Sequence, residues 1–462
     1  HLVAASAGVV REMEKPVDNQ VVMQRSELDE SGFGVPATVV IDEGRFVLYY
    51  HMSNRGLVGR AESWDGFTWE NRTRLGMPRI HNTADFCVLL DKFEENPKFK
   101  WKMTANCKNG NDMTCFFSSA DGLKWTMHGA NTPIYGNLTD TLACLHHDKP
   151  GKDYTMTMRY EALNPHLDGR GIRGSIVLNG SLDKVLDSID KRAWWEAREL
   201  GRFHFDSMHG DREMFRRQLY SMARTYFPGA GYMGVVQILE FVERSRDAGK
   251  KTMLEDLSIA QGLRLEEDFD SVFLYLMPSM DGVHFDPSWV YAGVKLLPDE
   301  LTKGYQFMSQ AGELLTHGGY HWVYYDRNPE RHFSRWAHDS EIAVARFQEG
   351  RLVRLHSTLD VGTVVTNSFD FDPCQRLTVD VRSWSKSSSL TVELLKGQES
   401  FDGMALLEAQ AATQSETMHG VNGGVRVNWS VKPDRFRGQP VHLRFSFHAM
   451  YLYGFSLESG EC

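Results

Sequence analysis

No stretch of the 462-residue chain approaches the roughly 20 consecutive apolar residues that a bilayer-spanning helix needs, so nothing in it reads as membrane-spanning. Positive charge is also scarce. With 51 basic against 61 acidic residues the net charge is −10, and no basic stripe is present to neutralise phosphates, which argues against nucleic acid as a partner. Only six cysteines occur, none in the Cys-x-x-Cys spacing of a zinc or redox site. No metal ligand set is expected from the sequence, and an axial calcium ion is the one cofactor left open. Proline is sparse at 15 beside 40 glycines, and 11% of the residues are aromatic, a balance that favours strands joined by tight turns.

Four Asn-x-Ser/Thr triplets, at Asn71, Asn137, Asn179 and Asn428, would accept N-linked glycans in a secretory route. The even cysteine count fits an oxidising compartment. Cys107 and Cys115 flank a turn-like Lys-Asn-Gly-Asn and could staple a hairpin, Cys374 and Cys462 bracket the C-terminal segment, and Cys87 and Cys144 remain as a third pair; six buried free thiols are the alternative. Ala5-Ser6-Ala7 resembles a signal-cleavage pattern behind a short apolar run. The expected location is therefore secreted or cell surface.

One short segment repeats. Ser63-Trp-Asp-Gly-Phe-Thr-Trp69 returns as Ser119-Ala-Asp-Gly-Leu-Lys-Trp125 and as Ser279-Met-Asp-Gly-Val-His-Phe285, each time after an apolar run. Glycine adopts positive φ without steric cost and aspartate bonds its own backbone, so each copy is a tight turn with an aromatic residue placed to fold back. Taken singly the aromatics resemble sugar platforms, but their fixed place after each turn assigns them to packing. Two strand-like runs and a third precede each turn, beginning at Val35, Asp85, Thr141 and Leu219, and a fifth set runs from Glu313 to Arg346 with Ser181-Leu-Asp183 as a degraded turn in the third. Five such units predict an all-β fold with a five-bladed β-propeller over 21–350, preceded by an N-terminal extension over 1–20. Beyond about residue 350 the turn disappears and six alternating strands predict a β-sandwich over 351–462.

The Tyr-Tyr-rich second strand Asp42-Glu-Gly-Arg-Phe-Val-Leu-Tyr-Tyr50, the Ser-x-Asp-Gly turns, the run Ile342–Leu355 into Gly362–Phe369, and the closing Pro440–Phe445 and Leu452–Ser456 carry a resemblance over almost the full length. The chain resembles five-bladed-propeller glycosidase-like proteins related to glycoside hydrolase families 32, 43 and 117, with a C-terminal sandwich. That resemblance implies carbohydrate as the partner and three carboxylates from successive blades converging on the axis. The positions that match are Glu30 or Asp29 before the first blade, Asp85 opening the second and Asp140 opening the third. Glycoside hydrolysis uses a carboxylic acid on the leaving oxygen and a carboxylate on water or the anomeric carbon.

The same acids also suit turns and caps. The family 32 signatures Asn-Asp-Pro-Asn-Gly and Arg-Asp-Pro are absent, which keeps a non-catalytic glycan-binding or structural surface protein as the alternative. Histidine supplies further candidates, His81, His146, His147, His204, His209 and His317, expected near the blade entrances, since in family 117 relatives a histidine takes the acid role. Arg212, Arg216 and Arg217 could hold an anionic sugar substituent through the planar two-donor fork, or be solvated charge. Asp29, His81, His209 and Arg216 complete the expected substrate-binding set. The sandwich shows no aromatic row in its sequence and reads as a stabilising cap.

Overall fold

The computed structural model describes residues 2–24, 34–52, 57–75, 86–108, 112–131, 143–151, 153–163, 171–186, 194–195, 197–205, 217–241, 270–330, 341–396, 411, 413–430 and 436–459. The chain divides into two compact units: His1–Lys15 with Phe347–Cys462, and Pro16–Arg346. The first twenty residues are thus not a separate extension. β1 (Leu2–Ala5) and β2 (Val9–Met13) belong to the unit that holds the C-terminus, whereas β3 (Asp18–Gln24) belongs to the other.

The Pro16–Arg346 unit is a succession of antiparallel meanders. The first is β4 (Gly34–Asp42), β5 (Arg45–Met52), β6 (Val58–Ser63) and β7 (Glu70–Arg74). The second is β8 (Phe86–Leu90), β9 (Trp101–Lys108), β10 (Asp112–Ser119) and β11 (Thr126–Asn131). The third is β12 (Cys144–His146), β13 (Asp153–Leu163), β14 (Gly171–Ser181) and, after helix α1 (Asp183–Leu186) and β15 (Trp194–Trp195), β16 (Arg198–Phe203); β15 adds to β11 of the second. The fourth is β17 (Arg217–Phe227), β18 (Gly231–Phe241) and β19 (Asp270–Ser279), followed by the short helices α2 (Ser288–Tyr291) and α3 (Asp299–Thr302). The fifth comprises β20 (Phe307–Gln310), β21 (Leu315–His317), β22 (Tyr320–Asn328) and β23 (Glu341–Gln348), completed by β3 pairing antiparallel with β23.

A single parallel bridge, Val272 to Phe307, fuses the fourth and fifth meanders into one eight-stranded sheet, so five meanders occupy four hydrogen-bonded sheets. The fifth does not begin at Glu313–Leu315 as its apolar run suggests. Its first strand is the shorter β20, and Glu313 lies in the bend after it.

Apolar faces of successive meanders pack on one another in turn. Val47 and Tyr49 meet Phe86 and Met103; Phe116 meets Leu145 and Met156; Val177 meets Leu219 and Tyr275; Leu239 meets Phe307. Phe46 and Leu48 of the first meander then pack with Trp322 and Tyr324 of the fifth, which closes the ring. A ring of face-packed antiparallel sheets is a β-propeller, an arrangement that protects sheet edges.

Each Ser-x-Asp-Gly turn leaves the end of a third strand: β6, β10 and β19 in chain order. Ser63 Oγ accepts the Gly66 N–H at 2.9 Å, and Asp65 Oδ1 accepts those of Phe67 and Thr68 at 2.8 and 2.7 Å. Ser119 and Asp121, and Ser279 and Asp281, repeat these bonds. The three glycines have φ of 78°, 70° and 74°, in the left-handed region that favours glycine. Trp69, Trp125 and Phe285 are buried as packing residues. Ser181-Leu-Asp183 instead opens α1, with Asp183 in its first turn.

The His1–Lys15 and Phe347–Cys462 unit is a sandwich of two antiparallel sheets. β24 (Val353–Ser357) is succeeded by β25 (Gly362–Thr366), β26 (Phe369–Phe371), β27 (Gln375–Ser383), β28 (Ser389–Lys396), β29 (Thr413–Gln414), β30 (Met418–His419), β31 (Asn422–Arg426), β32 (Gln439–His448) and β33 (Met450–Ser459). One sheet runs β1-β25-β32-β28-β29, with β26 and β30 on its flanks, and the other β2-β24-β33-β27-β31. Alternation places Val379, Val381, Leu390, Val392, Leu443 and Phe445 in the core between them.

Candidate functional site

Cross-links between neighbouring first strands establish that they all run the same way. The Cys87–Cys144 disulfide joins β8 to β12, and a few residues further along both chains His147 Nδ1 meets Asp91 Oδ1 at 2.7 Å. Thr157, paired with Cys144, donates to the Met222 carbonyl at 3.1 Å, while Thr155, paired with His146, meets the Arg224 guanidinium. Gln310 Nε2 lies 3.4 Å from Ser221 Oγ, and four residues on in both strands Thr225 Oγ1 donates to the Leu314 carbonyl at 3.0 Å. Thr38 Oγ1 accepts from Val88 N–H and the Ala311 carbonyl from Val39 N–H, which links β4 to both neighbours. The ring therefore has an N-terminal end, where every first strand begins, and a C-terminal end.

The C-terminal end is crossed by Gly312–Leu314. Gly312 has φ of 77°, and a Cβ there would lie 3.0 Å from Thr38 Cγ2 of the first meander. Glu313 Oε1 sits 2.7 Å from His146 Nδ1 of the third, and Leu314 bonds Thr225 of the fourth. Because Thr157 gives its proton to Met222, its oxygen accepts from His146 Nε2–H at 3.1 Å, which orients the ring with Nδ1 toward Glu313. The third and fifth meanders are thereby tied together across the ring.

Nearby, Lys102 Nζ donates to Asp91 Oδ2, Glu94 Oε2 and the Phe99 carbonyl, each at 2.8 Å, and stands 5.1 Å from the Tyr154 ring centre. The Lys102 side chain is 1% exposed and that of Asp91 0%. Burial alone would raise the Asp91 pKa; hydrogen bonds from His147, Lys102 and Tyr154 and the Lys102 charge hold it well below the usual carboxylate range. An ammonium thus occupies the space between these carboxylates. Among the described residues no three His, Cys, Asp or Glu side chains converge to hold a metal ion.

At the N-terminal end the second strands of the meanders terminate, and they carry polar side chains there. His51 lies near the end of β5 opposite Val35, Arg159 and Tyr160 lie beyond the Thr157 level of β13, and Asn328 ends β22 opposite Phe307. His51, Arg159, Ser175 and Asn328 are buried. Tyr160 OH hydrogen-bonds His204 Nδ1, and burial pushes its phenol up to about 12. In the fourth meander Arg217 Nε lies 3.5 Å from Glu240 Oε1, which also accepts from Tyr275 OH. Glu341, at the start of β23, accepts from Gln24, Arg327 and Tyr305; these bonds outweigh burial and lower its pKa.

The acids expected to do chemistry, Glu30, Asp85 and Asp140, lie outside the described residues, as do Asp29, His81, His209, Arg212 and Arg216. In the chain Asp85 directly precedes β8, Glu30 stands four residues before β4 and Asp140 four before β12. Arg217 is described and pairs with Glu240. Of the described histidines among the candidates, His204 alone is at the N-terminal end. His146 and His147 end the first strand of their meander and His317 precedes a second strand, which puts all three at the opposite end from the expected entrances.

Cys87 and Cys144 are bonded as the third expected pair. Cys115 and Cys374 are disulfide-bonded too, and the side chains of their expected partners, Cys107 and Cys462, lie outside the described residues. Asn71 and Asn428 are exposed, Asn179 Nδ2 donates to the Tyr154 carbonyl at 3.3 Å, and Asn137 is outside the described residues. Sequence reasoning missed His51, Arg159, Tyr160 and Asn328. Their signal was positional: each closes or nears the end of an apolar second strand.

No family model matches the chain, and no curated protein sequence does. Its fold is similar to those of solved propeller glycosidases. A thermostable family-43 glycoside hydrolase is 13% identical over 75% of this chain and 96% of its own, with a TM-score of 0.41. The family-32 β-fructofuranosidase of Bombyx mori is 10% identical over 93% and 92%, with a TM-score of 0.37. A structure from the GH130 family of mannoside phosphorylases, which contains glycoside hydrolases that target β-1,2 mannosidic linkages in Candida mannan, is 14% identical over 74% and 95%, at 0.38. At these identities and TM-scores none carries an activity over to this chain.

Proposed function

We propose that the chain is a secreted or cell-surface glycoside hydrolase-like protein that acts on an oligo- or polysaccharide at the N-terminal end of the propeller's first strands. The observation that carries this reading is the common direction of those strands. Glu30, Asp85 and Asp140 each stand within four residues of the start of a first strand, in three successive meanders. With the far end crossed by Gly312–Leu314, a sugar would approach from the end where these acids begin the strands. One acid would protonate the leaving oxygen and another would activate water or attack the anomeric carbon. His51, Arg159, Asn328 and the Tyr160–His204 pair make the same end polar.

The Cys87–Cys144 disulfide favours an oxidising compartment. Glycans would sit on the exposed Asn71 and Asn428, and a mass shift on enzymatic deglycosylation of the protein from a eukaryotic host checks this. The function is tested by screening oligosaccharides for binding and product release with wild type beside Asp85→Asn. Release by wild type and its loss in the variant is the expected result. If both proteins bind the same sugars and neither releases product, the chain is a glycan-binding protein and the hydrolase reading fails.

A further inference from the structure

The outer face of the sandwich sheet β2-β24-β33-β27-β31 gathers aromatic and arginine side chains that lie far apart in the sequence. Leu355 pairs with Leu452 and Arg382 with Tyr451, and both leucines point into the core, so the alternate residues Arg354 and His356, Tyr451 and Tyr453, and Arg382 share the outer side. Trp384, one residue beyond β27, leans on this row with its ring centre 4.6 Å from that of Tyr451 and 6.5 Å from that of His356. Its backbone is fixed by a bond from Trp384 N–H to the Ala449 carbonyl. The indole is nevertheless 50% exposed. A tryptophan held in place while half its surface faces water forgoes part of the burial free energy open to a large apolar side chain.

The rim of this platform is polar and electrically balanced. Arg354 lies 4.2 Å and Arg382 5.0 Å from the Tyr451 ring centre. Arg351 makes a two-point pair with Asp380 at 2.7 and 2.8 Å, Arg354 pairs with Glu12 and Glu14, and Arg382 lies 3.8 Å from Glu14. Three cations therefore face three carboxylates. A phosphate-rich or strongly anionic partner gains little here, because each guanidinium already has its counter-charge. An uncharged ligand with one apolar face and a fringe of hydrogen-bonding groups matches a flat indole edged by guanidinium and carboxylate. The Arg382 side chain, 47% exposed, retains donors directed to solvent beside Trp384.

We propose that Trp384, Tyr451, His356 and Arg382 form a second carbohydrate-binding site, on the sandwich, for a neutral pyranose or furanose unit of a glycan. The ring stacks its C–H face on Trp384 while Arg382 and Glu12 take its hydroxyls. The site holds glycan without cleaving it.

Affinity electrophoresis of the full chain through gels containing neutral polysaccharides (arabinan, xylan, mannan and levan in turn) tests it. Wild type is retarded in at least one gel, Trp384→Ala loses that retardation by about tenfold or more in apparent affinity, and Trp384→Phe retains part of it. Trp384→Ala releases product from a short soluble oligosaccharide at the wild-type rate, which separates this site from the proposed catalytic end. Equal mobility of wild type and Trp384→Ala in every gel overturns the proposal. So does retardation confined to gels containing an anionic polysaccharide such as polygalacturonate, or a Trp384→Ala effect that sedimentation traces to loss of a dimer.

Discussion

The Tyr324 hydroxyl donates to the carbonyl of Gly66, 258 residues earlier in the chain, at 2.8 Å. Tyr49 does the same for Gly122 at 3.0 Å. In these two copies the repeated turn is a latch: its glycine exposes a carbonyl that the second strand of the preceding meander grips, and the aromatic residue after it packs beneath. In the third copy Arg224, on the first strand of the same meander, donates instead to the Gly282 carbonyl at 2.8 Å. Glycine serves twice here. Its φ is positive, and a Cβ on Gly66 would stand 2.7 Å from Trp322 and 2.8 Å from the Tyr324 hydroxyl. Gly66→Ala should therefore cost about 1–2 kcal/mol of backbone strain and a further ~1–3 kcal/mol of overpacking. Gly44 has φ of 83° but open space around it, so Gly44→Ala should show only the strain. Urea unfolding of the two variants separates these contributions.

The Lys102 ammonium is bonded three times inside the protein, and removing it leaves Asp91 buried without its cation. Lys102→Met should destabilise by about 3–5 kcal/mol near pH 7. Asp91 has a folded pKa below its unfolded value, so its contribution is complete above an unfolded pKa of about 3.9 and is lost as pH falls through the folded value. The difference between wild type and Lys102→Met should then shrink below about pH 4. Denaturant midpoints for both proteins at about pH 7 and about pH 3 check the sign.

The scaffold was legible where local chemistry repeats. Asp-Gly turns and Val/Tyr/Phe runs mark β4 to β6, β8 to β10 and β17 to β19 because each strand's alternation and each turn's φ demand are written in adjacent residues. β20 escaped because four residues give too little alternation, and β3 because its partner β23 is so remote in the chain, Asp18 pairing with Arg346. The split of the N-terminus between units was invisible for the same reason. The row of Tyr451, Tyr453 and Trp384 exists only through the register of β27 on β33. Of the site, the location of acids before first strands could be read. The polar ends of the second strands could not, since His51 and Arg159 acquire meaning only when the direction of the ring is known.

The Cys87–Cys144 bond closes a separation of 57 residues between the first strands of the second and third meanders. Replacing both cysteines with alanine should lower stability by about 2–5 kcal/mol, chiefly by freeing the unfolded chain. Because both side chains are buried with Ala223, the alanine pair also removes apolar contact from the ring's interior. Thermal unfolding without reductant, compared with wild type before and after dithiothreitol, reads the total; the variant should lose less than wild type on reduction, since Cys115 and Cys374 are disulfide-bonded in both.

If sugars are processed at the N-terminal end, substitutions at the two ends of the ring should separate activity from stability. Arg159→Met, in folded protein verified by circular dichroism, should lower kcat/KM on the screened glycan by roughly tenfold or more, as expected when a positioning group is lost. Glu313→Gln keeps a partner for His146 but removes the carboxylate from the C-terminal end. With its side chain 33% exposed, this change should lower the unfolding midpoint modestly while kcat/KM stays within about threefold. The reverse pattern, with Glu313→Gln inactive and Arg159→Met unaffected, would place the chemistry at the other end of the first strands and with it the His146–Glu313 pair.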